Sequence, residues 1–126
     1  MLKARDIMTK NVITISPDKT LDEAIKILVD NKISGMPVCD DKKKVLGMIS
    51  EKDVLNFIFS GNTKTTTVGE AMSKEIISFN SDTDIDKLSL VMSEKKIRRV
   101  PIIDDGVLVG IVSRRSIIKI VLDMPK

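Results

Sequence analysis

Hydrophobic and polar positions along the 126-residue chain form a pattern that is written out twice. In the first half a short apolar run at 12–15 gives way to the polar turn Ser16-Pro17-Asp18-Lys19. Apolar residues then recur at helical spacing, at Leu21, Ala24, Ile25 and Leu28, and lay one stripe along a helix. Thr20, three residues ahead of Glu23, reads as the capping box that starts it. Two short apolar runs flank Asp40-Asp41-Lys42-Lys43-Lys44 and predict paired strands with a solvated lysine tip. Val54, Leu55, Phe57 and Ile58 close the half as an apolar helix. The second half repeats this order. It has a run at 76–79, the turn Asn80-Ser81-Asp82-Thr83, and a helix from near Asp84 with Ile85, Leu88 and Met92 on one face. Strands around Asp104-Asp105-Gly106 follow, an Asp-Gly hairpin signal. Ile117, Ile118, Ile120 and Val121 form the last helix.

The halves also match residue by residue. At an offset of 64, Asp6-Ile7-Met8-Thr9-Lys10 falls on Glu70-Ala71-Met72-Ser73-Lys74, and Met36-Pro37-Val38 falls on Val100-Pro101-Ile102. One residue is then lost, so Gly47-Met48-Ile49-Ser50-Glu51-Lys52-Asp53 meets Gly110-Ile111-Val112-Ser113-Arg114-Arg115-Ser116 at an offset of 63. The copy keeps the glycine and the serine but loses the acid. We therefore expect a mixed α/β (α+β) fold of two β-α-β-β-α repeats, at 1–60 and 68–126, with 61–67 as a polar linker. The first strand-helix-strand step should cross over right-handed. A lone sixty-residue half is marginal, so the repeats should pack through their small sheets about a pseudo-twofold axis, as one module. Pro37 and Pro101 read as strand starts. The closing helices carry apolar residues on more than one face, which favours a homodimer through them.

Composition narrows the chemistry. The chain has no histidine, which removes His general bases, Ser-His-Asp and Cys-His arrangements and most zinc sites. No nucleophile-base pair, metal cluster or Gly-rich phosphate loop is present, so neither catalysis nor a bound metal is expected. Three Phe and no Trp or Tyr argue against base-stacking platforms. The net charge of +3 is too small to claim nucleic acid. The lone Cys39 lies in an apolar run, reads as a buried structural thiol, and suits a reducing cytosol. No apolar run approaches the roughly 20 residues of a membrane span, and the N-terminus lacks a signal-peptide core. A cytoplasmic location is expected.

Taken in this order, twice, the Met-Thr/Ser-Lys opening, the strand with Pro37 or Pro101 and the Gly-x-x-Ser-x-x-Asp segment resemble a tandem pair of CBS domains (the cystathionine-β-synthase-type repeat). The resemblance covers nearly the whole chain. It implies a non-catalytic sensor of adenosine-containing ligands, AMP, ADP or ATP and in some members S-adenosylmethionine, that assembles as a disc-like dimer. It also implies a ligand held between the repeats. Carried over, Ser50 and Asp53 would bind ribose, with Met72, Ser73, Ile76 and Ile77 around the base. Arg98 and Arg99, beside Pro101, and Arg115 would face the phosphates. Three arginines fit a phosphorylated ligand better than a sulfonium. In the related cleft (Met8, Thr9, Ile13, Ser34, Pro37, Ser113) Ser116 replaces the acid and Ser34-Gly35 replace the arginine pair, so weak or no binding is expected there.

Plainer readings stand beside these. Ser50-x-x-Asp53 is itself a capping box, and capping alone would account for both residues. Arg98-Arg99 can be a solvated turn. An interaction or DNA-associated scaffold with vestigial clefts, its basic loops carrying the contact, is the alternative to a sensor. A separate chain would have to read the signal.

Overall fold

The computed structural model describes residues 2–59 and 61–123. In chain order these form α1 (Ala4–Ile7), α2 (Leu21–Asn31), β1 (Gly35–Cys39), β2 (Val45–Ser50) and α3 (Glu51–Ile58). Then come α4 (Val68–Ala71), α5 (Ile85–Lys95), β3 (Arg99–Asp104), β4 (Val107–Ser113) and α6 (Arg114–Asp123). The fold is mixed α/β, with two antiparallel two-stranded sheets, β1–β2 and β3–β4.

The compact units are offset from the sequence repeats. One unit runs from Ile13 to Ile76 and is called here the mid-chain unit. The other, the split unit, joins the segment up to Val12 to the segment from Ile77 onward. Each unit thus takes its first short helix from the opening of the other repeat.

In the mid-chain unit, Thr20 caps α2 as its spacing with Glu23 predicts, the two residues exchanging hydrogen bonds. Leu21, Ala24 and Leu28 are buried against Met36, Val38 and Ile49 of the sheet. Backbone bonds strap the segment before α4 onto the start of α2: Leu21 N donates to Thr66 O at 3.0 Å and Val68 N to Lys19 O at 2.7 Å. In the split unit Leu88 and Met92 bury against Val100, Ile102 and Val112, with Ala4 of α1. The matching strap is made by Ala4 N to Thr83 O at 2.8 Å and Ile85 N to Leu2 O at 3.0 Å. Here two ion pairs reinforce it, Lys3–Asp84 at 2.5 Å and Arg5–Asp82 at 2.6 Å.

The hairpins follow their turn chemistry. Asp104 pairs with Val107 across Asp105 and Gly106, whose φ of 52° and 80° are those a two-residue turn needs. The longer loop of the first repeat is closed by Asp40, whose Oδ1 accepts from both Lys42 N and Lys44 N at 2.9 Å. Lys42, Lys43 and Lys44 are exposed. Both β2 and β4 carry one extra residue at the same place, Leu46 and Val109.

Two expectations change. The runs at 12–15 and 76–79 do not form strands; each leaves one parallel bridge, Ile15 to Val38 and Phe79 to Ile102. Pro37 and Pro101 also stand third in their strands rather than first, and are buried. One cause serves both. Ile15 N donates to Pro37 O at 3.1 Å and Cys39 N to Ile15 O at 2.9 Å. The next parallel rung would need an N–H from residue 37, and proline has none. Pairing stops there, and the same holds at Pro101 and Phe79.

Candidate functional site

Gly47 begins the stretch of interest because something must cross it. Met72 and Ser73 run antiparallel to β2 there, Met48 N donating to Ser73 O and Ser73 N to Met48 O, both at 2.9 Å. A Cβ at Gly47 would stand 2.7 Å from Met72 Sδ and 2.7 Å from Ser73 O, so only glycine admits the crossing. The split unit repeats the arrangement. Thr9 pairs with Ile111, and a Cβ on Gly110 would stand 2.5 Å from Met8 Sδ.

Each strand then turns into a helix. Ser50 is the N-cap of α3. Its Oγ accepts from Asp53 N at 3.3 Å, while Asp53 Oδ2 accepts from Ser50 N at 2.9 Å and Ser50 Oγ at 3.0 Å. Both capping bonds end on Oδ2, and Oδ1 takes no part in them. The carboxylate is half-buried, at a helix N-terminus that favours negative charge. It can cap the helix through one oxygen and accept from a ligand hydroxyl through the other. In the copy, Ser116 N donates to Ser113 Oγ at 3.1 Å and the two hydroxyls lie 2.8 Å apart. The turn is kept; the charge is not.

The backbone carbonyl of the residue before each first strand completes the turn. Glu51 N donates to Ser34 O at 2.9 Å, and Arg114 N to Arg98 O at 2.7 Å. Ser34 therefore lies beside the Ser50 turn in the mid-chain unit, and Arg98 and Arg99 beside the Ser113 turn in the split unit. Of the residues assigned to the main cleft, the structure gathers Ser50, Asp53, Met72 and Ser73 in the mid-chain unit, which also holds Ile76. Ile77, Arg98, Arg99, Pro101 and Arg115 belong to the split unit. Of the second set, Met8, Thr9 and Ser113 come together in the split unit, and Ile13, Ser34 and Pro37 belong to the mid-chain unit. Ile13 and Ile77, equivalent in the two repeats, are each 38% exposed. Cys39 is buried, and burial pushes its thiol above the ordinary range, which fits a structural thiol.

Sequence reasoning missed α1 and α4, four residues each. The signal for α4 was there: Thr67 and Glu70 make a capping box. Among the described residues there is no group of His, Cys, Asp and Glu able to hold a metal ion, and no helix long and apolar enough to cross a membrane.

The CBS domain family model matches twice, at residues 4–60 and 68–123, and the chain belongs to that family. Inosine-5'-monophosphate dehydrogenase of Methanocaldococcus jannaschii is 36% identical over 118 residues, which is 93% of this chain but 23% of that enzyme. The chain thus spans about a quarter of that relative. The crystal structure of CBSX2 in complex with AMP superposes with a TM-score of 0.90 at 29% identity, covering 98% of each chain. The CBS domain pair of protein MJ0100, in complex with 5'-methylthioadenosine and S-adenosyl-L-methionine, gives 0.84 at 28% identity, again with 98% of each chain covered.

Proposed function

We infer that this chain is a non-catalytic regulatory module that binds an adenine nucleotide (AMP, ADP or ATP) and works as a homodimer. The observation that carries the ligand is Asp53. It is the acid that survives in one of two equivalent turns, with Oδ1 outside its capping bonds. A ribose offers two neighbouring hydroxyls to such a carboxylate, and Met72 and Ser73, which cross β2 at Gly47, are assigned the base. Arg98, Arg99 and Arg115 are assigned the phosphates for their charge. Ligand would shift a conformational population, and a further protein would read it. The AMP complex of CBSX2 supports this reading. The dimer rests on large apolar side chains exposed on the closing helices or at their end, Leu55 at 60%, Phe59 at 93% and Leu122 at 72%.

The MJ0100 complex favours a second reading, a sensor of S-adenosylmethionine. Calorimetric titration with AMP, ADP, ATP and S-adenosylmethionine separates the two. Tighter binding of the phosphorylated ligands supports the first, and preference for the sulfonium supports the second. No heat from any of them up to millimolar concentration would leave only an interaction scaffold, which salt-dependent DNA binding would then support.

A further inference from the structure

Each unit carries a groove between its two longer helices. In the mid-chain unit the groove between α2 and α3 holds about 220 Å³ and is lined by apolar side chains with one acid, Glu51. In the split unit the groove between α5 and α6 holds about 570 Å³ and carries Lys96, Arg98 and Arg114. No acid among the described residues lines it.

The two are the same place in the repeat, and their differences are paired. Ile25 and Val29 become Ser89 and Ser93, which opens the groove. Glu51 becomes Arg114, at the same first position of its helix. Leu55 and Ile118 keep their place, 60% and 57% exposed. Lys26, on the neighbouring face of α2, is taken up by Asp30 at 3.2 Å.

We propose that the second copy in the homodimer seats its α2–α3 face on the α5–α6 face of the first, rather than like on like. This rests on the homodimer reading above. Pairing two α5–α6 faces would bring Lys96 and Arg114 of both copies into one interface, with no acid among the described residues lining either groove, a like-charge arrangement that selects against itself. Pairing unlike faces sets Glu51 toward Lys96 and Arg114. It also gives the protruding Leu55 and Phe59 the roomier groove that Ser89 and Ser93 leave. Shape and charge point to the same partner.

Cysteine cross-linking of the full chain tests the pairing. Differently tagged copies carrying Leu55→Cys and Ile118→Cys are mixed and mildly oxidised; the buried native Cys39 stays out of the exchange. We expect disulfide-linked pairs from the mixture about tenfold in excess of those from either variant alone. Glu51→Arg should weaken the dimer about tenfold, and adding Arg114→Glu should restore it, as for an interfacial charge pair. Efficient linking within either single variant, or no rescue by the double reversal, overturns the pairing while leaving the dimer. Sedimentation of the unaltered chain as a monomer overturns the dimer reading and the pairing with it.

Discussion

The turn into α3 and the turn into α6 share a glycine, a crossing segment, a serine cap and a carbonyl from the residue before the first strand, Ser34 or Arg98. They differ where chemistry would happen. Asp53 places a carboxylate at the helix start, while Ser116 places a hydroxyl bonded to Ser113. Structural needs were evidently met either way, since Ser113 caps Ser116 N at 3.1 Å without help from an acid. Capping explains the serines in both turns. In the first turn it also takes up Asp53 Oδ2, so that only Oδ1 stands outside the capping bonds, and it is to this oxygen that the proposed ribose is assigned.

Removing the acid is the sharpest way to break the comparison. Asp53→Ala should cost about a hundredfold in adenine-nucleotide affinity, roughly 3 kcal/mol for two lost charge-assisted hydrogen bonds. The fold should lose only about 1 kcal/mol with the cap. Calorimetry and thermal melting on the same protein read both. A lowered melting temperature with unchanged affinity would sink the ribose assignment. Ser116→Ala, in the other turn, should leave nucleotide affinity where it was.

The glycines come next. Gly47→Ala and Gly110→Ala both force a methyl into a filled space, an overpacking that costs about 1–3 kcal/mol. Gly47 should be the worse. Its added Cβ meets the backbone carbonyl of Ser73 at 2.7 Å, whereas at Gly110 the clash is with the Met8 side chain, which can swing. Denaturant titration of the two variants gives the order, and equal losses would mean that both crossing segments shift alike.

How far the sequence carried can be judged from particular residues. The long helices were legible because Leu21, Ala24, Leu28 and Leu88, Met92 recur at the helical period and are indeed buried. Asp105-Gly106 was legible because few residues tolerate two positive φ values in succession. The runs at 12–15 and 76–79 misled because apolar character says nothing about hydrogen-bonding partners, and the prolines across from them withhold one. α1 and α4 are too short to show a period. The offset between repeats and compact units was marked only by Gly47 and Gly110, glycines whose need becomes visible once Met72 and Met8 are seen crossing them. At the candidate site the capping pair was readable, and its competing roles were not separable from spacing alone.

A smaller effect compares the serines. Ser50→Ala removes an oxygen that accepts from Asp53 N and a hydroxyl that donates to Asp53 Oδ2, but Asp53 Oδ2 still receives Ser50 N. Ser113→Ala removes the acceptor of Ser116 N and its hydroxyl partner together. Ser113→Ala should therefore be the more costly, near 1 kcal/mol or above, with Ser50→Ala below it. Thermal melts of the pair give the sign, and the reverse order would mean that Asp53 depends on Ser50 Oγ for its position.

The last difference is between the straps. Among the described residues only the split unit's strap uses side-chain ion pairs: Arg5 holds Asp82, and the neighbouring Asp104 accepts from Ser81 Oγ at 2.6 Å and Ser81 N at 2.9 Å. These bonds lower both carboxyls below the ordinary range, Asp82 through Arg5 and Asp104 through the Ser81 hydroxyl. A carboxyl depressed in the folded chain contributes stability above its unfolded value, about 3.9. That contribution is lost as pH falls through the lower folded value. Asp82 faces solvent and Asp104 is half-buried, so the effect is small. Ser81→Ala should lower the melting temperature at pH 7, and the gap to the parent should narrow toward about pH 3, roughly one unit below the unfolded value. Ser16→Ala probes a serine–carboxylate bond of the mid-chain unit, where the Ser16 hydroxyl lowers Asp18. Each removes one hydroxyl bond to a carboxylate, but the Ser16 bond is exposed where the Ser81 bond is half-buried, so its gap should be the narrower at pH 7. A Ser81→Ala gap that persists undiminished in acid would show that the hydroxyl works through packing and not through the carboxylate.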